Sequence, residues 1–310
     1  MLYISIWGME GIANKKIVYI GIFLCVIGGI GIGILKVFGL SSNNTEIHKK
    51  ETVASENINE IEINTSAADV ELVPTDLNEI EILLDGNIKE NIKDKYTFKV
   101  NEKNNKLNID FLTNDNSLGL HLGSISDMKL KVNLPKKGYE NIKVKTTSGQ
   151  IIAEGIEGKI LTMEATSGNI STIESKIKKE LTAETSSGTI KINKSEAGIV
   201  NFKTSSGKID SNNLVSKNAN FEDISGEIKY NNKTLKGDIA FQTSSGDVKI
   251  NFDKVPTSFK VDFEGNSGKA DIDVEGLLYE DKSKNKAIAI KGDGENKIKV
   301  RTSSGDLKLK

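Results

Sequence analysis

Residues 181–210 read LTAETSSGTIKINKSEAGIVNFKTSSGKID, one pattern passed through twice: alternating apolar residues, a Thr-Ser-Ser-Gly corner, and alternating apolar residues again. Outward from this stretch, Ser-Gly pairs end at Gly149, Gly168, Gly188, Gly207, Gly226, Gly246, Gly268 and Gly305. The first six intervals are 19, 20, 19, 19, 20 and 22 residues; the last, 37, is close to two periods and predicts a degenerate copy inside it. Seven residues before the glycine stand Ile142, Leu161, Leu181, Val200, Ala219, Ile239, Val261 and Ile298. Five before it stand Val144, Met163, Ala183, Phe202, Phe221, Phe241, Phe263 and Val300, and two after it Ile151, Ile170, Ile190, Ile209, Ile228, Val248, Ala270 and Leu307. All three columns are apolar in every copy, and a period of two on either side of Ser-Gly is the signature of strands.

A single copy offers about four inward side chains, each contributing roughly 1.5 to 3 kcal/mol by burial, whereas ordering each of its residues costs about 1 to 2 kcal/mol. One copy cannot stand alone, and short repeats of this kind stabilise one another by stacking. A meander of antiparallel hairpins would also put two strands around each turn. It would not hold the same residue type at the same phase of every copy, as stacked ladders require. The expected fold is all-β: a parallel, β-helix-like solenoid, right-handed, with about 4.8 Å between coils. Phe202, Phe221, Phe241 and Phe263 form its expected core column. The eight glycines are expected to take a positive φ, with serine bonding the turn backbone. Three residues before each glycine stand Thr146, Ala165, Thr185, Thr204, Asp223, Thr243, Gly265 and Thr302, which predicts a threonine ladder that turns irregular at Asp223 and Gly265.

Upstream, Ile58 to Leu134 has strand character without the short repeat (INEIEINTSAADVEL, EIEILL, YTFKV, KLNIDFL, MKLKVNL) and is punctuated by Pro74 and Pro135. It reads as longer first coils plus an irregular loop over 113–126. Residues 280–296, EDKSKNKAIAIKGDGEN, read as a polar excursion before the final coil.

The chain is 37% apolar with 28 glycines, the share expected of one that buries a core, which excludes disorder for most of it. Its 42 basic and 43 acidic residues nearly cancel, too weak a summed field to hold nucleic acid. Only Arg301 supplies the planar fork used for bidentate recognition; the lysines solubilise the surface. With His48, His121 and Cys25 as the sole residues of their kinds, a zinc site, a disulfide framework and a Cys-His dyad all lack parts. No metal or cofactor is expected.

From Ile17 to Leu35 nineteen residues carry no charge, IVYIGIFLCVIGGIGIGIL, enough at about 1.5 Å per residue to cross a bilayer core. A cleavable signal peptide would have a shorter apolar region and a small-residue cleavage site, so an uncleaved anchor is expected. Cys25 follows Phe23-Leu24 and reads as apolar filler. Lys15 and Lys16 precede the span, which favours a short cytoplasmic N-terminus (1–16), an anchor (17–35), a flexible polar stalk (36–56) and an extracytoplasmic β domain (57–310). His48 falls in the stalk and is expected to be solvated.

EIEINTSAADVEL, then MKLKVNLPKKGYENIKVKTTSGQI, the recurring TSSGxI and the closing NKIKVRTSSGDLKL together resemble the bacterial putative-adhesin domain family, over residues 56–310. That resemblance implies a β-helix-like fold, commonly tethered to the membrane of Gram-positive bacteria, with some relatives linked to envelope stress. It brings no catalytic residues.

A solenoid that cleaves polysaccharide needs clustered carboxylates and a basic residue. Here Glu227 and Asp247, just after their glycines, share a column with Gln150, Asn169, Thr189, Lys208 and Lys269, so no acidic ladder forms. Gly292-Asp293-Gly294-Glu295-Asn296 lacks the alternate oxygen ligands of a calcium loop and reads as a turn. His121, between Leu120 and Leu122, has no partner base or nucleophile. Serines 148, 167, 187, 206, 225, 245, 267 and 304 are expected to stack into a hydroxyl row, as turn chemistry or as a glycan-binding edge. The expected function is a non-enzymatic, membrane-anchored interaction or envelope scaffold, with a cell-envelope protein or glycan as partner. A wall-polysaccharide enzyme or lectin is the alternative, though the phenylalanines occupy the inward column rather than a sugar platform. A part in envelope-stress sensing follows from the resemblance alone.

Overall fold

The structure, a computed structural model, describes residues 44–113 and 125–310. The expected anchor, Cys25 and His121 lie outside them; among the described residues no helix is long and apolar enough to cross a membrane. The β domain is a single unit made of Thr45–Ile88 and Ile92–Lys310.

The chain opens with β1 (Asn44–Ala54), β2 (Glu60–Thr65), β3 (Asp69–Thr75), β4 (Glu79–Lys89), β5 (Tyr96–Lys103), β6 (Lys106–Thr113) and β7 (Ile125–Pro135). Regular coils follow as β8 (Tyr139–Thr146), β9 (Ile151–Glu154), β10 (Glu157–Ala165), β11 (Ile170–Ile173), β12 (Lys176–Thr185), β13 (Thr189–Asn193), β14 (Glu196–Thr204), β15 (Lys208–Asn212), β16 (Val215–Asp223), β17 (Ile228–Asn232), β18 (Asp238–Thr243) and β19 (Val248–Phe252). The chain closes with β20 (Phe259–Gly265), β21 (Ala270–Ile272), β22 (Leu278–Lys282), β23 (Lys286–Lys291), β24 (Asn296–Thr302) and β25 (Leu307–Leu309). In the regular part, strands before a Ser-Gly corner stack into one sheet and strands after it into the other, every neighbour parallel. The solenoid expectation holds for the described residues.

All sixteen members of the two columns before the glycine are buried, and the two sheets close on them as a shared core. Phe202, Phe221, Phe241 and Phe263 are each at most 1% exposed. Phe221 stacks on Phe241 at 5.1 Å between centroids and meets Phe202 edge-on at 5.8 Å, while Tyr230 from the facing sheet packs edge-on against both Phe221 and Phe241 at 5.9 Å. The step from 19 to 20 residues between Gly168 and Gly188 is absorbed as a bulge in β12, where Lys178 and Lys179 lie opposite the single residues Lys159 and Gly198.

Coil order departs from chain order at both ends. The coil β24–β25 lies between β18–β19 and β20–β21, and the coil β2–β3 lies between β6–β7 and β8–β9. The 37-residue interval therefore holds no degenerate copy. It holds β22 and β23, an antiparallel hairpin on the outer edge of β20, followed by the return of the chain into the slot beneath. The Phe column is correspondingly interrupted: Val300 sits between Phe241 and Phe263. The slot is matched in charge as well as shape. Arg301 donates to the Asp262 carbonyl at 2.9 Å and to its carboxylate at 2.7 Å, and pairs with Glu264 at 3.4 Å. The guanidinium holds the Asp262 carboxyl below its ordinary range. Residues of the expected stalk are also structured: Asn44–Ala54 form β1, an edge strand beside β4, and His48 there bonds Asp85.

Because β24–β25 separates β20–β21 from the rest of the stack, removing residues 296–310 should release more than one coil. Limited proteolysis is expected to open residues 259–291 as well, at least tenfold faster than in the intact chain, a change of about 1.4 kcal/mol or more in local opening. Continued protection of that segment would show that the coils are stacked in chain order.

Candidate functional site: two corners and the faces between them

The Ser-Gly corner is built around a carbonyl, not around a special backbone angle. None of the eight corner glycines has a positive φ. A Cβ on Gly168 would lie 1.8 Å from the Gly149 carbonyl oxygen, on Gly188 2.0 Å from that of Gly168, on Gly207 1.8 Å from that of Gly188, and on Gly226 1.5 Å from that of Gly207. The row runs through Gly246 and Gly305 to Gly268, in coil order rather than chain order. The residue must be glycine because the carbonyl of the coil beneath occupies the side-chain position. The positive φ values fall at the opposite corner instead, six residues on: Gly155 (62°), Glu174 (49°), Lys194 (48°) and Asn213 (53°).

Threonine ties the corner together more often than serine, of which Ser225 and Ser267 donate to the Ser205 and Ser303 carbonyls at 3.2 and 3.3 Å. Gly149, Gly246 and Gly305 donate their N–H to Thr146, Thr243 and Thr302 Oγ1 at 2.9, 2.9 and 2.8 Å. Thr185 and Thr204 donate their hydroxyls downward, to the Gly168 and Gly188 carbonyls at 2.9 and 3.2 Å. Expected irregularity at Asp223 is absent: Thr204, Asp223 and Thr243 follow one another in register. Gly265 ends the ladder, its N–H and carbonyl both taken by Asn285.

Asp223 is 3% exposed. One carboxylate oxygen accepts from Ser225 N–H at 3.1 Å, and the other has no partner. A Cβ on Gly226 would sit 2.3 Å from that second oxygen and 1.5 Å from the Gly207 carbonyl oxygen, so two acceptors crowd one point where threonine would present a donor. Burial pushes this carboxyl above its ordinary range, against the pull of the N–H groups of residues 224–226.

The serines at 148, 167, 187, 206, 225, 245, 267 and 304 line the corner, and with Thr147, Thr166, Ser186 and Ser205 they give it a ridge of hydroxyls. Beside the ridge a groove of about 510 Å³ runs over the outer face of β8, β10, β12 and β14, lined by Thr147, Thr166 and Ser186 with Lys145, Glu164 and Lys203. Apart from Glu184, its charges are paired across coils: Glu164 takes Lys143 and Lys145, both at 2.9 Å, and Lys203 takes Glu222 at 3.3 Å. On the other sheet Glu227 is held by Lys249 and Lys229, which keep its carboxyl low. Asp247, in the same column, accepts the Asp306 N–H at 2.9 Å. These acids serve the stacking. Residues 292–294 fold as a turn, with Gly292 and Gly294 at positive φ. Among the described residues no three His, Cys, Asp or Glu side chains converge on a metal-sized point.

An amide ladder went unread in the sequence. Asn251 donates to Asn231 at 2.7 Å and Asn231 to Asn212 at 2.9 Å, all five residues past their glycine. Counting that column beside the apolar ones would have found it.

This geometry, glycine-cornered coils stacked into two parallel sheets, defines a β-solenoid repeat protein. The chain belongs to the Toastrack DUF4097 family, whose profile matches residues 58–310. Among solved structures, one described as a "putative adhesin" from Bacteroides fragilis superimposes with a TM-score of 0.51 at 15% identity, over 87% of this chain and 99% of that one. A "putative lipid binding protein" from Parabacteroides distasonis gives 0.43 at 17%, over 87% and 98%. A "putative cell adhesion protein" from Clostridium sporogenes gives 0.34 at 15%, over 86% and 99%. No curated protein matches the chain in sequence. At these identities the likeness is one of fold.

Two substitutions test the corner. Gly207→Ala is expected to cost at least about 2 kcal/mol in urea unfolding, because its Cβ meets a backbone oxygen that the stack holds in place. Gly138→Ala, with nothing within 4 Å of its Cβ, should stay within about 0.5 kcal/mol. Asp223→Thr should stabilise the protein by roughly 1 to 2 kcal/mol at pH 7.5. With the folded pKa raised, the aspartate chain is relatively most stable below the unfolded value of about 3.9 and loses stability as pH rises through the folded one. The gain from threonine should therefore shrink toward pH 3.5, and a gain independent of pH would show that Asp223 is charged without penalty.

Proposed function

We propose that this is a non-enzymatic interaction protein of the cell envelope: a rigid β-solenoid held outside the membrane by the uncharged segment 17–35, presenting its outer faces to a surface protein or glycan. The reading rests above all on the hydroxyl ridge and the groove beside it, where Ser and Thr side chains repeat with every coil over a backbone too tightly stacked to move. Such an array suits a partner that itself repeats, because each coil adds a weak contact and the contacts multiply along one rigid body. Membership of the Toastrack family, and a solved relative of the same fold described as an adhesin, lend it support. Glu164, Glu227 and Asp247 on the outer faces are engaged with lysines or backbone N–H groups of neighbouring coils, which leaves these carboxylates unsuited to general acid and base work.

Protease shaving of intact cells is expected to remove residues 57–310, and full-length protein in uncharged detergent is expected to bind at least one envelope glycan or surface protein without altering it. Depolymerisation of any wall polymer would replace this reading with an enzyme. Digestion only after the membrane is opened would place the solenoid on the cytoplasmic side.

A further inference from the structure

Several lysines on the outer faces of the sheets lie against a carboxylate of a neighbouring coil. The second corner, opposite the Ser-Gly row, pairs Lys194 with Glu174 but leaves other lysines unpaired. There Lys176, Lys178, Lys217 and Lys236 are exposed and have no carboxylate partner among the described residues. All four line a groove of about 830 Å³, larger than the one beside the hydroxyl ridge. Glu196 and Glu295 also line it, leaving the groove with an excess of positive charge. Its floor is apolar: Ile177 is 2% exposed, Leu235 6% and Ala197 8%, while Val215 at 38% forms a half-open wall. Two glycines of its lining let adjacent coils stack closely here. A Cβ on Gly198 would lie 2.6 Å from the Lys179 carbonyl oxygen, and one on Gly237 2.3 Å from that of Lys217.

The placement of the charges says what could fill it. Lys176 and Lys178 belong to the coil of β12, Lys217 to that of β16 two coils on, and Lys236 leads into β18, one further. At about 4.8 Å per coil the cations are strung over roughly 14 Å along the axis. A single small anion cannot reach from one end to the other. A membrane is a flat surface and would meet the ridges rather than the floor. A linear chain bearing single negative charges separated by short carbon segments fits both features, its charges at the lysine rim and its C–H faces on the apolar floor.

We propose that this groove binds a linear envelope polyanion of that chemistry, a phosphodiester-linked polyol. The proposal rests on the envelope reading above and names a site on a different corner from the hydroxyl ridge. Its test uses full-length protein in uncharged detergent with fluorescent poly(glycerol phosphate) and polygalacturonate as separate probes, titrated by anisotropy at several salt concentrations. Saturable binding of poly(glycerol phosphate) is expected, with log K falling against log salt at a slope of about −2 to −3 for four lysines. The triple variant K178Q/K217Q/K236Q should lose about tenfold in affinity and most of the slope, and K229Q/K249Q/K286Q, drawn from paired lysines outside both grooves, should stay within about twofold. Equal losses in the two variants, no saturable binding of poly(glycerol phosphate), or tighter binding to polygalacturonate or to phosphatidylglycerol vesicles than to it would overturn the proposal. Protein that binds poly(glycerol phosphate) through the groove and no glycan at the ridge would separate this site from the ridge, and shaving of intact cells tests the envelope location independently of both.

Discussion

A backbone carbonyl oxygen resting where a side chain would otherwise be is the contact on which the rest of this structure depends. At every Ser-Gly corner after Gly149, which rests on the Ala68 carbonyl, the glycine of one coil sits directly over the glycine carbonyl of the coil beneath, with a notional Cβ 1.5 to 2.0 Å from that oxygen along the row from Gly168 to Gly246. With the corner fixed, the three apolar columns fall into register and the sheets inherit a common phase. The threonine hydroxyls then tie the corner in one of two ways, Thr146, Thr243 and Thr302 accepting from their own glycine N–H and Thr185 and Thr204 donating to the carbonyl below. Asp223 keeps the register and gives up the donor, so the ladder passes through a buried acid that favours its neutral form.

The second consequence of stacking is that a coil can enter wherever its corner, core column and outer charges match. The final coil takes a slot between two coils that precede it in the chain, with the sole arginine bracketed by Asp262 and Glu264 and with Gly305 seated between Gly246 and Gly268. The coil β24–β25 thus lies inside the stack, and β22 and β23 cover the edge of β20 that would otherwise be open in that sheet. At the other end β4 and β5 play the same part, each antiparallel to the outermost coil.

The two corners of the coil carry different chemistry because they are closed by different devices. The Ser-Gly corner is tight, neutral and rimmed with hydroxyls. The opposite corner turns through left-handed residues and a bulge, and the slack this creates opens a hollow with lysines at its rim. Along the outer faces Glu164, Glu222 and Glu227 are engaged with lysines of neighbouring coils, whereas four lysines rim the hollow without a carboxylate partner among the described residues.

Several features were legible in the residues. The strand period, the glycine interval, the inward phenylalanines and the threonine column come from side chains repeating in step, and stacking makes repetition and contact the same thing. The stack itself decided what is not periodic. Glycine at the corner is explained by a neighbour that is close in space but 19 or 20 residues away in the chain, so the positive φ expected from local turn chemistry was assigned to the wrong corner. The 37-residue interval looks like two periods but is a hairpin and a return, because parallel coils have no memory of chain order. The edge strand β1 and the lysine groove were invisible for a related reason: both depend on which surfaces are left uncovered once every coil has found its place, and that is a property of the assembled stack alone.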